Sequence, residues 1–368
     1  MRGYIPLTRI ITIENGTNMF RRLLVAIIVT AYGCFIFMSD VLAQDVINVQ
    51  PKVETPAVIS EGDAADDPAI WVDQTNPLNS KIYGTDKDSG IYTYDIEGNE
   101  LQYFSLGLIN NVDVRSGLNH FAFESVLAGT RLDDNSLIMI PIDDQGLLVI
   151  DELIFYPTAF NTIYGTCLGV INDELYMYVS DEETFQIIEY KIAGFSPSDI
   201  TQNRVFSTQS VSEGCVVDQV NFRLFYSQED DANGIRSVAL KEGQPSAVVI
   251  EDGVSRGGRL VADSEGLTVI YLENRELLLA SAQDNNAYFI YDITDNGSQF
   301  IDSFIITDNP LLSIDGVQET DGIDAYYGNF GEVFPSGIFI AQDGENETYE
   351  NQNFKYVSLA DVLSSLHL

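Results

Sequence analysis

The sequence predicts an all-β chain, a six-bladed β-propeller whose four-stranded antiparallel blades surround a central channel. Three observations carry this. Runs rich in Ile, Val, Tyr and Phe recur between Gly, Asn and Asp turns, a strand pattern and not a helical one. Short acidic or Gly-containing starts followed by apolar runs stand at Asp67, Asp113, Tyr164, Glu213, Glu265 and Asp321, spaced 46, 51, 49, 52 and 56 residues apart. A second series marks a later strand of each unit at Tyr94, Pro141, Tyr190, Val238, Tyr291 and Tyr356, and its first five members recur at 47, 49, 48 and 53 residues. A period of about 50 residues with several strands in each unit is the mark of a propeller blade. A sandwich needs no such long-period similarity, and a solenoid is the minor alternative.

Taken in order, residues 1–18 show no clear pattern. From Met19, a candidate true start, the chain reads as a secretory signal: Arg21 and Arg22, an apolar stretch of 16 residues from Leu23 to Met38, and Val41-Leu42-Ala43 before Gln44. The expected division is a signal peptide over 1–43 and one propeller over 44–368. A membrane anchor is the alternative, but 16 residues are short for a span. Lipidation at Cys34 would need a Leu that Ala31-Tyr32-Gly33-Cys34 lacks. The expected location is therefore the periplasm or the medium, with no stable membrane span after cleavage. Cys167 and Cys215 remain in the mature chain, and an oxidising compartment leaves a bridge and two buried thiols equally open. The six units follow, five of them with a turn glycine after the second marker (Gly98, Gly146, Gly194, Gly243, Gly297), and an amphipathic helix is expected from Val357 to Leu368.

Composition narrows the chemistry. With 56 Asp plus Glu against 18 Lys plus Arg, the formal charge is −38, and no basic stripe is present to neutralise nucleic-acid phosphates. At 45% hydrophobic residues the chain has ample core and is not disordered. Two histidines, His120 and His367, with no HExxH or CxxC, leave little room for catalytic zinc. Oxygen chemistry with hard cations remains. In a propeller the innermost strands begin near the channel mouth, so Asp66, Asp67, Asp113, Glu213, Glu265 and Asp321 should converge there. Carboxylates so crowded need raised pKa values or bound cations. Oxygen-only ligands on a flexible rim suit Ca²⁺. The bland alternative is that each acid only caps its own turn.

The stretches DAADDPAIWVDQTNPLNSKI (Asp63 to Ile82), TDKDSG (Thr85 to Gly90) and NNVDVR (Asn110 to Arg115) resemble signatures of the β-propeller phytases, secreted calcium-dependent phosphatases of phytate. YG at Tyr164, SEG at Ser212, QED at Gln228, DSEGLT at Asp263, TDGID at Thr320 and AQDGEN at Ala341 extend the resemblance from about Glu54 to Leu359. It implies calcium ligands drawn from Asp66, Asp67, Asn111, Asp113, Glu213, Glu229, Asp263, Glu265, Asp315, Asp321, Asp343 and Glu345. It further implies that Lys87 and Arg131 hold substrate phosphates, that Tyr164 lines the site, and that Val53 to Ile59 is a strand closing the last blade. The chain departs from the pattern on the third blade, where acidic and polar residues from Asp181 to Thr184 replace a Lys-Glu pair, and at Asp88, where a second Lys sometimes follows the first. Fewer basic phosphate holders should make the protein lean harder on metal.

The expected reaction is direct attack of water on phosphorus with no covalent intermediate. Glu213, Glu229 and Glu265 hold the ions around that water, and Arg131 and Lys87 fix the phosphates. Phytate and inorganic phosphate are the expected partners, and nothing demands an oligomer. Other phosphatase chemistries fit poorly: neither His follows an Arg, no Cys-x5-Arg exists, and Gly253-Val254-Ser255-Arg256-Gly257 lacks the strand-then-helix context of a nucleophile elbow. Glu229-x-Asp231-x-Asn233-Gly234 resembles half an EF-hand, but Leu240 stands where the closing Glu belongs. A calcium-dependent propeller lactonase and a non-catalytic calcium-binding surface propeller are the competing functions.

Overall fold

The computed structural model describes residues 46–366 apart from 119–120, 230–233, 242–247, 254–259, 261–262, 296 and 348–350. The expected signal peptide with Met19 and Cys34, both histidines, Gly243, Ser255 and its motif beyond Gly253, and Asp231 and Asn233 lie outside the described residues.

Two short strands, β1 (Ile47–Val49) and β2 (Pro51–Glu54), precede six sheets. Blade one is β3 (Ala65–Trp71), β4 (Lys81–Asp86), β5 (Gly90–Asp95) and β6 (Glu100–Ser105). Blade two is β7 (Ile109–Ser116), β8 (Ser125–Arg131), β9 (Ser136–Ile142) and β10 (Ile154–Pro157). Blade three is β11 (Ile163–Ile171), β12 (Glu174–Asp181), β13 (Gln186–Ile192) and β14 (Ile200–Ser207). Blade four is β15 (Cys215–Asp218), β16 (Arg223–Tyr226), β17 (Ile235–Ala239) and β18 (Val248–Asp252). Blade five is β19 (Ser264–Tyr271), β20 (Glu276–Ala282), β21 (Ala287–Thr294) and β22 (Gly297–Ile306). Blade six is β23 (Ile323–Tyr326), β24 (Ile338–Asp343) and β25 (Asn353–Ser358), with β2 as its outer strand. Each first strand packs against the next blade's first strand, and β23 returns to β3, which closes the six-bladed propeller.

Why these strands read as unbroken apolar runs follows from the core. The hydrophobic clusters lie between successive blades, so alternate side chains of one strand enter two different interfaces. Ile70 faces blade six while Ala69 and Trp71 face blade two. All seven residues of β9 are buried. Every marker of the second series falls on the third strand of its blade, and Tyr94, Tyr190, Tyr291 and Tyr356 are all buried there.

Two local expectations change, and one strand is added. The closing strand is Pro51–Glu54, paired antiparallel to β25, and not Val53 to Ile59. Beyond it Thr55 and Val58 still donate backbone bonds to Phe354 and Gln352, but Pro56, which has no N–H, interrupts a regular ladder. Outside the expected pattern, β1 joins blade five as a fifth, parallel strand. The C-terminal helix α1 spans Leu359–Ser365, because Val357 and Ser358 pair with Phe339 and Ile338 and so belong to the sheet. The expected turn glycines among the described residues do stand at turns: Gly98 and Gly146 in the left-handed region at φ 84° and 76°, Gly194 just after β13, and Gly297 opposite Thr294 at the hairpin between β21 and β22.

Candidate active site

The rim is built from a repeated irregularity. The ladder slips at the start of β3, β7, β11 and β19, leaving the pairs Asp66-Asp67, Asn110-Asn111, Tyr164-Gly165 and Glu265-Gly266 as bulges. Glu213-Gly214 and Asp321-Gly322 hold the corresponding places just before β15 and β23. The second member lies against the next blade's backbone. A Cβ at Gly165 would stand 1.8 Å from the Glu213 carbonyl oxygen, and one at Gly214 would stand 2.0 Å from that of Glu265. These two positions must be glycine for adjacent blades to approach so closely. Because second strands run antiparallel, their ends return to the same rim, bringing Lys87, Arg131, Glu229, Gln283 and Asp343 beside the starts.

Glu213, Glu229 and Glu265 each place an oxygen within 4.8 Å of the others. Tyr164 Oη donates to Glu213 Oε2 at 2.9 Å, and Asn110 Nδ2 donates to Glu213 Oε1 at 2.7 Å. Glu229 Oε1, Glu265 Oε2 and Asp66 Oδ1 are buried without a hydrogen-bond partner, and Asp66 Oδ2 has only Lys87 Nζ, at 3.5 Å. Unpaired buried atoms occur elsewhere in the chain, Tyr94 and Tyr356 Oη among them, but among the described residues only here do unpaired carboxylate oxygens crowd together, an arrangement that fits a missing ligand. Burial, reinforced by Glu213, pushes Asp66 up to about 8. Burial with Glu213 and Asp263 lifts Glu229 to about 8, and burial with Asp66 lifts Asp321 to about 7. Glu213 is raised by burial and then by Asp321, and Glu265 is raised well above the usual range by burial and then by Glu213 and Glu229. Burial, then Glu213, also lifts the Tyr164 phenol and keeps it a donor.

Both candidate phosphate holders rest on acids of their own. Lys87 Nζ lies 3.0 Å from Asp63, 3.5 Å from Asp66 and 3.4 Å from Asp321. Burial disfavours the ammonium, but Asp66, Asp321 and Asp63 outweigh it and keep the group protonated. Arg131 makes a two-point pair with Asp134, Nε to Oδ1 at 3.0 Å and Nη2 to Oδ2 at 2.5 Å, and stacks on Phe155. Asp88 is exposed beside Lys87. On blade three, Asp181 caps its turn by accepting from the backbone of Glu183 and Thr184, and Glu182 adds negative charge near Glu229.

The other expected ligands divide. Asp67 Oδ2 accepts from the Val112 backbone at 3.0 Å, and Asn111 Oδ1 accepts from Asn110. Asp113 does not stand at a strand start: it is the fifth residue of β7, because the bulge places Asn110 and Asn111 at the rim instead. Its oxygens accept from Leu168 N at 2.7 Å and pair with Arg115 at 2.6 Å, lower in the channel. That channel has a volume of about 350 Å³ and is lined by all six first strands, Asp67, Asp113 and Asp324 among them. Asp263 stands directly before β19, close enough to act on Glu229. Asp315 and Asp343 surround the fully buried Lys355 Nζ together with Glu54, and Glu345 is exposed nearby in sequence. Sequence reasoning missed Asn110, Asp63, Gln283, which bonds Asp321, and Lys355. Aligning the second-strand ends across the repeats would have picked out Gln283, which follows β20 as Lys87 follows β4.

The family model described as Phytase matches residues 18–367. The chain belongs to the phytase family. It is 35% identical over 332 residues to the 3-phytase of Bacillus subtilis (strain 168), covering 86% of this chain and 85% of that one. Among solved structures it is similar to an auxiliary nutrient binding protein of Bacteroides thetaiotaomicron, with TM-score 0.52 and 13% identity over 80% of this chain and 70% of that one. That likeness concerns the fold alone. The protein is an enzyme, a phytase.

Proposed function

We propose that this phytase releases inorganic phosphate from phytate, leaving lower inositol phosphates, with Ca²⁺ at the acidic rim. The observation that carries the proposal is the Glu213, Glu229 and Glu265 group, within 4.8 Å of one another and with buried oxygens lacking partners. Oxygen donors of this number and crowding fit a hard cation. Asp66 and Asp321 would complete the inner set, Asp67 and Asn111 face the channel from the same bulges, Asp113 lies lower, and Asp263 stands beside Glu229. Asp315, Asp343 and Glu345 would hold an outer ion, the first two while also keeping Lys355. Bound calcium supplies positive charge against the phosphate oxygens and a more acidic water.

The chain's own residues do the rest. Phytate carries six phosphates, on the order of −9 to −12 in total near neutrality, so an acidic rim without cations would repel it. Arg131 offers a planar fork to a phosphate, and Lys87 a point charge. Each must exchange Asp134, or Asp63 and its neighbours, for substrate oxygens. Tyr164 and Asn110 hold Glu213 in place through its two oxygens. Glu229 Oε1 and Glu265 Oε2 are open acceptors for the hydrogens of the attacking water. A bond forms from water oxygen to phosphorus, the ester P–O bond breaks, and the proton passes to the leaving inositol oxygen. No protein nucleophile is required.

Among the described residues no helix is long and apolar enough to cross a membrane. We further propose a secreted or periplasmic monomer, released from the leader over residues 1–43. The test is phosphate release from phytate by the purified chain with calcium, after chelation, and after calcium is restored. Release that is lost and regained supports the proposal. No release by folded, calcium-loaded protein would overturn the substrate reading, and release unaffected by complete chelation would overturn the metal.

A further inference from the structure

The proposed chemistry makes no use of the bridge between Cys167 and Cys215, whose Cα atoms are 5.6 Å apart. It joins the innermost strands of blades three and four, with Cys167 the fifth residue of β11, next to the Leu168 amide that bonds Asp113, and Cys215 the first residue of β15, one step below the rim. Cys167 lies three residues after Tyr164, and Cys215 lies two after Glu213. Blade four supplies two of the three clustered glutamates, Glu213 and Glu229, yet it has the shorter ladder. Its first three strands have 4, 4 and 5 residues, against 9, 8 and 7 in blade three.

Glu213 stands outside β15, so the ladder does not fix it directly. Its position depends on lateral ties to blades two and three: Asn110 Nδ2 and Tyr164 Oη on its carboxylate, and the close seat of its carbonyl over Gly165. Glu229 is reached through the same strand start. Cys215 pairs with Tyr226, the Ser227 amide donates to the Gly214 carbonyl at 2.9 Å, and Glu229 follows two residues later. Elsewhere the inner seams are stitched by side chains accepting backbone N–H groups, Asp67 from Val112, Asp113 from Leu168 and Asp324 from Ile70. At the seam between blades three and four, Gln219 accepts from Val170 near the far end, and the disulfide stands nearer the rim, between that bond and Glu213.

We propose that the Cys167–Cys215 bridge is a positioning element of the metal centre, registering the start of β15 against β11 so that Glu213 and Glu229 stay within reach of Glu265. The inference rests on the calcium reading of the rim. Partners bonded directly to metal ligands typically change metal affinity by about 10- to 100-fold when removed, and the bridge, one step behind Tyr164 and Glu213, should act at the lower end of that range.

The test compares calcium affinity, by titration calorimetry, in the native chain, the Cys167→Ala/Cys215→Ala double variant, and Ile140→Ala. Ile140 is fully buried between blades one and two, so its truncation destabilises the fold away from the seam. The expected result is a loss of about 10-fold or more in calcium affinity for the cysteine variant, with turnover recovering at high calcium, and a change below about 2-fold for Ile140→Ala. Unaltered calcium affinity in the cysteine variant, or an equal loss in both variants, would overturn the positioning role while leaving the calcium reading intact. A native chain that binds no calcium would overturn both. If the double variant does not fold, native protein folded with its bridge and then reduced with a phosphine gives the same comparison.

Discussion

Removing calcium should make the stability of this protein fall as pH rises through neutrality, and the effect can be sized from the rim. The usual carboxylate in a folded protein is paired and favours ionisation, so stability is lost in acid. Here the signs are opposite. Burial and mutual repulsion lift Asp66 and Glu229 to about 8 and Asp321 to about 7, and burial lifts Asp324, beside Asp113, to about 6. Each of these groups is protonated in the folded chain at a pH where the unfolded chain has already released the proton. Their contribution is therefore fully present below about pH 4 and is lost as pH rises through about 6 to 8. Each excess proton in the folded state gives a slope of about 1.4 kcal/mol per pH unit. Because the rim groups interact, we count one excess proton for the whole cluster, which gives a loss of about 3 kcal/mol between about pH 5 and 7.

The assay is urea unfolding at several pH values across that range, in metal-stripped buffer and again with saturating calcium. Metal-stripped protein should lose stability steadily toward higher pH. Calcium should reverse the slope, since ion binding requires the deprotonated oxygens and adds its binding free energy to the folded state. A metal-free chain whose stability is flat or rises from about pH 5 to 7 would refute the reasoning.

Tyr164→Phe removes one hydrogen bond to Glu213 and should lower turnover by about 10-fold at limiting calcium, with melting temperature little changed, in a steady-state assay. Gly214→Ala forces a Cβ to within 2.0 Å of the Glu265 carbonyl, so calcorimetric calcium binding and phosphate release should both be lost even if circular dichroism stays native. Arg131→Lys keeps the charge but not the fork, and kinetics should show a rise in KM larger than the fall in kcat. Loss of the disulfide, which spans 48 residues, should cost about 4 kcal/mol in chemical unfolding on the chain-entropy account.

The blade period was legible because a propeller repeats its hydrophobic pattern: the buried tyrosines of the third strands stand at equivalent positions, and their spacing needs no partner information. Register was less so. Asp113 looked like a strand start because it opens an apolar run, but the bulge at Asn110-Asn111 sets the rim two residues earlier, and a bulge leaves no mark in composition. The pairing of Cys167 with Cys215 was open for the same reason, since it depends on two strands from different repeats being neighbours. Glu213, Glu229 and Glu265 could be named from their motifs, while their mutual distance could not. Lys355 was invisible because a single Lys in an apolar strand carries no pattern, and only the fold brings Glu54, Asp315 and Asp343 around it.

That lysine also helps to say where an external cation is needed. The described rim and its surroundings contain three groupings of three carboxylates. Asp63, Asp66 and Asp321 share Lys87, and Glu54, Asp315 and Asp343 share Lys355. In both, the chain supplies its own ammonium and the charges balance in part without help. Glu213, Glu229 and Glu265 have no such partner: no described Lys or Arg lies within ion-pair distance of any of them, and two of their buried oxygens accept nothing. Leaving that group bare costs either three raised pKa values or the repulsion of ionised neighbours, and tyrosine and asparagine donors offset only part of it. The grouping without a built-in cation is therefore the one that gains most from a divalent ion. It stands on blades four and five, with Lys87 on blade one and Arg131 on blade two, and the intervening blade three presents acidic and polar residues from Asp181 to Thr184. A phosphate arriving there would meet fewer protein cations than on blades one and two, so an ion held by these glutamates would have the larger share of its charge to neutralise.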